Sequence, residues 1–442
     1  MNELDTQRMR GQLERQGILQ ATTPEEADVI LLNSCSVREK AEHKVYSRLG
    51  VFRQVKEQRP EVRIGLCGCV AEQEGERALG RVAELDFVLG TGRIGELTDV
   101  LLSAEGGERK VVTGFPEQSD YDLDAISRDG NFKGMVTLIE GCDKKCTFCV
   151  VPTTRGAERC RSMSLVLEEV RGLVAKGFAE IELLGQTVNH WRDPNTNADF
   201  ADMLHAVADI SGVQRLRFVT SYPRDFTRRM VEAFANHDNI SPYLHLPVQS
   251  GSDEVLKWMG RGHTIAEYLD LVDMIRELRP ETALSTDLIV GFPGESERDF
   301  EQTLELIERI QFASVFAFCY SPRPHTAAPR LPLDPVPEGV AKQRLQLLLA
   351  AQEPIQRRLN EALVGSQLEV LVTGPGRNMG TVTGRTPCHR QIHFEGSTYR
   401  TPLGSLVDVV VEKAYPHSLS GRMDSAALGA GAARSPQQGA PL

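Results

Sequence analysis

The apolar positions of this chain fall into short continuous blocks separated by longer segments with helical spacing. Asp28-Val29-Ile30-Leu31-Leu32-Asn33, Val62-Arg63-Ile64-Gly65-Leu66 and Asp86-Phe87-Val88-Leu89 are such blocks. Continuous apolar runs of this length mark strands buried on both faces of a parallel sheet. Asn2–Gln16 places Leu4, Met9 and Leu13 at helical spacing, and residues 37–49 follow the same rule. Residues 1–105 therefore predict an open parallel α/β domain that starts in a helix, without the strand that should precede it. Gly106-Gly107, Pro116 and the acidic run to Asp124 predict a linker over 106–131. From residue 132 the strand-then-helix pattern repeats, with strands at Met135–Ile139, Glu180–Leu184, Arg215–Thr220, Tyr243–Pro247, Ala283–Val290 and Ala313–Phe318. Helices fit Leu165–Lys176, Ile265–Leu278 and Glu297–Ile310. Six such units predict a partial (βα)6 barrel, an incomplete relative of the eight-stranded form. After a Pro-rich segment and a long helix over Ala341–Leu363, the period changes. Leu368–Val372, Gly380–Arg385, Gln391–Phe394 and Leu406–Val411 read as short alternating strands of a small OB-like β-barrel. The Ala-, Gly-, Ser- and Pro-rich tail over 421–442 predicts disorder.

Composition narrows the setting. The 442 residues carry a net charge of -11, so a nucleic-acid partner would have to be held by local basic patches. No apolar run approaches the ~18 residues of a membrane helix, and the start, Met-Asn-Glu-Leu-Asp, is not a secretory signal. A cytoplasmic protein without membrane contact is expected. Nine cysteines in such a chain point to metal or redox chemistry rather than disulfides.

Three of those cysteines, Cys142, Cys146 and Cys149, fall within eight residues in the spacing C-x3-C-x2-C. The loop is too tight to pair them all, and clustered thiolates suit a soft metal, above all an iron–sulfur cluster. Structural zinc would need a fourth ligand, for which Cys160 is the candidate. Three thiolates on a four-iron cluster leave one iron open to a substrate or cofactor. Cys35 and Cys69 stand at the C-terminal ends of two predicted strands, the edge where open α/β sheets bind ligands; two buried structural thiols are the alternative. In the barrel the unusual residues also follow strands, on the face where barrel chemistry sits. They are the cysteine triplet, Gly185-Gln186-Thr187, Ser221-Tyr222-Pro223, Gln249-Ser250-Gly251, Gly291 to Glu295 and Tyr320 to Arg323. Arg377, Arg385, Arg390 and Arg400 of the small barrel suit phosphate contact or an ordinary solvated face.

Several segments resemble motifs of the radical S-adenosylmethionine (SAM) methylthiotransferase family. They are Leu32 to Arg38, Gly68-Cys69, Glu140 to Arg155, Leu244 to Ser252, Asp287 to Glu295 and Thr383 to Thr386. The resemblance covers nearly the whole chain. It implies an N-terminal cluster domain over 1–105, a radical SAM core over 132–357 and a TRAM barrel over 358–420. Val150 to Gly156 and Gly384-Arg385-Thr386 look most like the branch acting on tRNA, which adds a methylthio group to C2 of isopentenylated adenosine at position 37. Sister branches act on threonylcarbamoyl-adenosine in tRNA or on an aspartate of a ribosomal protein. A non-enzymatic RNA-binding iron–sulfur protein is the remaining alternative, which the complete triplet and barrel-end motifs disfavour. By the resemblance, Cys142, Cys146 and Cys149 hold the four-iron cluster that cleaves SAM, whose amino and carboxylate groups chelate the open iron. Gly185 and Gln186 lie near the SAM amino group, Asp287 near its ribose, and Gly291 lets backbone approach its adenine. A second four-iron cluster takes Cys35 and Cys69. Its third cysteine normally precedes a Met-Asn pair like Met1-Asn2, so the resemblance implies a start called too late or a truncated chain; Cys67 is a weaker substitute. Arg155, Arg159 and Arg161 are expected to face the tRNA anticodon loop, with Arg385 gripping its backbone, although Ala157 stands where the family commonly has another Arg. Glu140 is expected to be structural. The expected partners are tRNA and an electron donor, and the expected state is a monomer.

Overall fold

The apolar blocks of the N-terminal region become parallel strands in the computed structural model, which describes residues 1–36, 39–103, 108–116, 126–128, 130, 132–399 and 401–424. Two units result. The first comprises Met1–Asp129, Glu140–Arg159 and Ser321–Ala327; the second comprises Gly130–Ile139, Cys160–Tyr320 and Ala328–Leu442. Among the described residues no helix is long and apolar enough to cross a membrane.

In the first unit, β1 (Val29–Ser34), β2 (Arg63–Gly68), β3 (Phe87–Leu89) and β4 (Lys110–Val112) form a sheet in that order, every neighbour parallel. Helix Glu39–Gln58 covers one face, where Val45 and Leu49 join Ile30, Ile64, Leu66 and Val88. On the other face Met9 of helix Asn2–Arg15 packs with Phe87, Leu89, Leu97 and Val100. β4 lies inside the segment expected to be a linker. Its apolar run, Val111-Val112, is too short to stand out beside Gly106-Gly107, yet it pairs in register with Val88-Leu89. Most of the remaining expected linker lies outside the described residues, as do Val37 and Arg38.

The chain passes from β5 (Lys133–Thr137) through the two-residue strands β6 (Ile139–Glu140) and β7 (Arg159–Cys160) that flank the cysteine loop. The second unit continues with β8 (Glu180–Leu184), β9 (Arg215–Phe218), β10 (Tyr243–His245), β11 (Ala283–Val290) and β12 (Ser314–Cys319). β5-β8-β9 and β10-β11-β12 are two parallel sheets, bridged where Leu216 pairs with Ile240. Strand alternation sorts their side chains. Ile181, Leu183, Leu216, Phe218, Leu244, Leu284 and Leu288 pack outward against the helices. Lys133, Glu180, Glu182, Arg215, Arg217, Tyr243, His245, Ser285 and Asp287 alternate with them and line the interior. Helices Ile265–Leu278 and Glu297–Ile310 start where expected because Thr264 with Glu267 and Ser296 with Asp299 form capping boxes.

Gly291, at the end of β11, has φ +73°, and an added Cβ would lie 2.5 Å from Cβ of Ala341 in helix Glu338–Glu361. Gly291→Ala is therefore expected to cost about 1–3 kcal/mol of stability through overpacking and backbone strain, seen as a lower unfolding midpoint.

The C-terminal strands β13 (Gln367–Pro375), β14 (Thr381–Arg385), β15 (Gln391–Glu395), β16 (Leu406–Ala414) and β17 (Leu419–Met423) close a barrel in the order β13-β14-β15-β17-β16. β17 corrects the expectation of a disordered tail from residue 421. Leu419 is fully buried, and Gly421 lets the strand lie close to β16, since a Cβ there would meet the Val410 carbonyl at 2.3 Å. Residues 425–442 of that expected tail, and Arg400, lie outside the described residues.

Candidate functional site

The cysteine triplet sits in a tight loop of the first unit. Gly141 opens it with φ +80°, a conformation forced because a Cβ there would lie 2.1 Å from the Ala157 carbonyl oxygen. The Cys142 N–H donates to the Gly156 carbonyl and the Cys149 N–H to that of Cys146, both at 3.1 Å. Burial pushes the Cys142 thiol up, opposed by the backbone N–H of Lys144, which donates to its sulfur, and the Cys146 thiol is close enough to raise it further. Among the described residues, no group of three or more His, Cys, Asp or Glu converges where a single metal ion could sit. Three thiols on one small loop, with a backbone donor aimed at sulfur, fit a cluster that spreads its ligands over several irons better than one tetrahedral zinc.

Elsewhere in the first unit, Ser34 of β1 pairs in register with Gly68 of β2. The next residues, Cys35 and Cys69, therefore come side by side at the C-terminal edge of the sheet, and their thiols hydrogen-bond. Gly68 makes the turn at φ +88°, where a Cβ would strike Asn33 Oδ1 at 2.3 Å. The Cys69 thiol is held well above its ordinary value by the bond to Cys35 and by burial, against the pull of the Arg155 guanidinium. Cys67 is different. It is fully buried among Met9, Phe87 and Leu89, and burial alone pushes its thiol up to about 12. It is a core residue on the far face of the strand, which corrects its candidacy as a substitute ligand.

Arg155 ends the short helix Val151–Arg155 and is 8% exposed. Its Nη2 lies 2.6 Å from Asp5 Oδ2, and it also hydrogen-bonds Cys69. Burial opposes its charge, but Asp5 and Cys69 outweigh burial and hold the guanidinium firmly protonated. The expectation that Arg155 faces an anticodon loop is corrected: the side chain is turned inward to the cysteine edge. Glu140 joins Arg8 at 3.3 Å and Arg159 at 3.5 Å, a structural position. Arg159 stays partly exposed, whereas Arg161, in the second unit, is drawn to Glu169 at 2.7 Å and the Thr137 carbonyl.

In the second unit the N-terminal end of the barrel interior is a layer of charge. Arg217 reaches Glu182 at 3.3 Å and Glu180 at 3.6 Å, and Lys133 reaches Glu182 at 3.5 Å. The TRAM-like barrel covers this end. Arg215 Nη1 donates to the Arg385 carbonyl at 3.0 Å, and the His389 ring packs on Tyr243 at 5.1 Å between centroids. Burial first, then Arg217 and Arg385, pushes the His389 imidazole down to about 2, so it stays neutral. Arg385 is itself half-buried, donates to the His389 carbonyl at 3.2 Å, and has its pKa lowered by burial and by Arg217. This corrects the expectation of a phosphate-gripping Arg385. Arg390 bonds Asn360, whereas Arg377 is exposed.

Above that layer, His245 Nδ1 lies 2.9 Å from Ser285 Oγ, which donates to Tyr243 Oη at 2.7 Å. His245 Nε2 lies 3.4 Å from Asp287 Oδ2. No motif spacing marks His245; strand alternation places it beside Asp287. At the C-terminal rim Gln186 Oε1, Ser221 Oγ and Tyr320 Oη are buried without hydrogen-bond partners among the described residues. Unpaired buried oxygens at three strand ends suit a polar ligand such as SAM. Gly185 keeps its rim turn close, since a Cβ would lie 3.0 Å from Val188 Cα. At Gly291 an added Cβ would meet Ala341, so glycine is required there for packing as well.

Comparison with known proteins agrees with this anatomy. The model of the radical SAM superfamily matches residues 136–307, uncharacterized protein family UPF0004 matches 1–90, and the TRAM domain matches 361–423. A cobalamin-dependent S-adenosylmethionine radical enzyme, OxsB, solved with aqua-cobalamin and S-adenosylmethionine, has a similar fold. Its TM-score is 0.50 at 14% identity, covering 80% of this chain and 53% of that one. The fold, the cysteine loop and these matches define a radical SAM enzyme with a C-terminal TRAM barrel. Two curated relatives are each named tRNA-2-methylthio-N(6)-dimethylallyladenosine synthase. That from Acidithiobacillus ferrooxidans is 46% identical over 96% of this chain and 94% of its own length. That from Bdellovibrio bacteriovorus is 41% identical over 96% and 93%. The chain belongs to the tRNA-2-methylthio-N(6)-dimethylallyladenosine synthase family.

Proposed function

We propose that this enzyme methylthiolates C2 of N6-isopentenyladenosine at position 37, in the anticodon loop of tRNA, in the cytoplasm. The observation that carries this is identity above 40% with named synthases across nearly the full chain, with the cysteine triplet intact in its loop. Cys142, Cys146 and Cys149 would hold one four-iron cluster, and Cys35 and Cys69 would supply two ligands to a second. With an external electron donor, the clusters and SAM supply one-electron chemistry and the sulfur. The chain's own residues do the positioning. Gln186, with Gly185 keeping its turn close, and Ser221 present oxygens to the amino end of SAM, and Asp287, oriented by His245, faces its ribose. Arg155 holds the Cys69 loop to the helix that follows the triplet. The apolar outer layer of the barrel and its covered N-terminal end keep bulk water from the interior.

Mass spectrometry of nucleosides from total tRNA tests the proposal, comparing a host lacking the gene with the same host carrying it. Loss of the 2-methylthio nucleoside with accumulation of N6-isopentenyladenosine is expected. An unchanged nucleoside would redirect the substrate to threonylcarbamoyl-adenosine or a ribosomal protein. For RNA affinity, exposed Arg377 replaces Arg385 as the TRAM contact. Arg377→Glu is expected to weaken tRNA binding and to reduce the log–log salt slope by about one. An unchanged slope would remove Arg377 from the interface.

A further inference from the structure

Among the described residues β12 is an edge strand, bonded to β11 alone. Its Val315, Ala317 and Cys319 pack outward against the barrel core. Phe316 and Phe318 therefore alternate to the interior, with Tyr320 continuing the row just beyond the strand. An apolar row on a strand usually completes a core. This one does not: no residue of β12 is buried, and Phe316 is 40% exposed. The Phe316 ring meets His245 edge-on at 5.8 Å, and Phe316 pairs in register with Asp287, as Phe318 does with Ile289. The result is an apolar strip along β12, with an imidazole and a carboxylate along its border.

We propose that this strip is the platform for the target base, with Phe316 stacking on the adenine ring beside the SAM-facing pair His245 and Asp287. The inference rests on the function proposed above and names the residues that receive its substrate. A base modified at C2 must leave its neighbours, and single-stranded bases are held by stacking on aromatic side chains. With Tyr320 at the rim that suits SAM, Phe316 and Phe318 remain for the base, and a purine carrying an isopentenyl group would use that apolar length.

The test is a binding cycle with the full-length holoenzyme. The RNAs are an anticodon stem-loop carrying isopentenyladenosine and the same stem-loop with an abasic target site. Phe316→Leu keeps apolar bulk without the ring and is expected to lose roughly 5- to 150-fold in affinity for the isopentenylated RNA, the effect of one lost base–aromatic stack. It should lose nothing for the abasic RNA, and Phe316→Tyr should restore wild-type binding. Equal losses on both RNAs, or none, would overturn the platform. A loss of SAM affinity without any RNA coupling would assign the strip to SAM and also overturn it. Should the wild type bind both RNAs equally, base uptake itself fails, and the proposed function falls with the platform.

Discussion

Cys146→Ala is expected to abolish methylthiolation. The thiolates of the triplet are the proposed iron ligands, and Cys146 lies in the middle of the loop, its thiol close enough to influence that of Cys142. With one of the three thiols gone the cluster would lose its anchoring in the loop. The whole catalytic acceleration is then forfeited, at least about 10⁶-fold at the low end for enzymes. Two measurements check this: iron bound per chain, and 5'-deoxyadenosine formed from SAM under reducing conditions. Wild-type iron content and turnover in the variant would exclude the triplet as the cluster's ligand set.

Arg155→Ala is expected to have the second largest effect, and on stability. The pair with Asp5 is buried on both sides, at 8% and 2% side-chain exposure, and the partners are 150 residues apart. Deleting the guanidinium strands the Asp5 carboxylate in a dry setting, a loss of about 3–5 kcal/mol. Arg155→Lys should recover only part, because a single ammonium cannot serve Asp5 and Cys69 together as a planar fork does. Chemical denaturation reads the loss directly. If both variants unfold like the wild type while tRNA affinity drops, Arg155 serves RNA after all.

Much of the barrel was legible because its signals are local. Glu180–Leu184, Ala283–Val290, Ile265–Leu278 and Glu297–Ile310 form with the predicted ends. Each strand is a dense apolar run, and both helices begin with their own capping residues. The triplet was legible for the same reason, all three cysteines lying in one loop. What depended on distant partners was not. Nothing near Arg155 announces Asp5, and nothing near Arg385 announces Arg217, so both cations were read as RNA contacts. β4 and β17 were missed because each is short, set among glycines, and made into a strand only by its neighbour. Gly291 was legible as a special position, but its packing against Ala341, some fifty residues downstream, was not.

The cover that the C-terminal barrel places over Arg215, Glu180 and Tyr243 has a practical side. A fragment ending before β13 would not simply lack an RNA handle. It would strip Glu369, Arg385 and His389 from Arg215 and Tyr243, leaving a buried guanidinium and a phenol ring open to water. Shortened versions of this enzyme should therefore be judged by their unfolding midpoint as well as by how tightly they hold RNA.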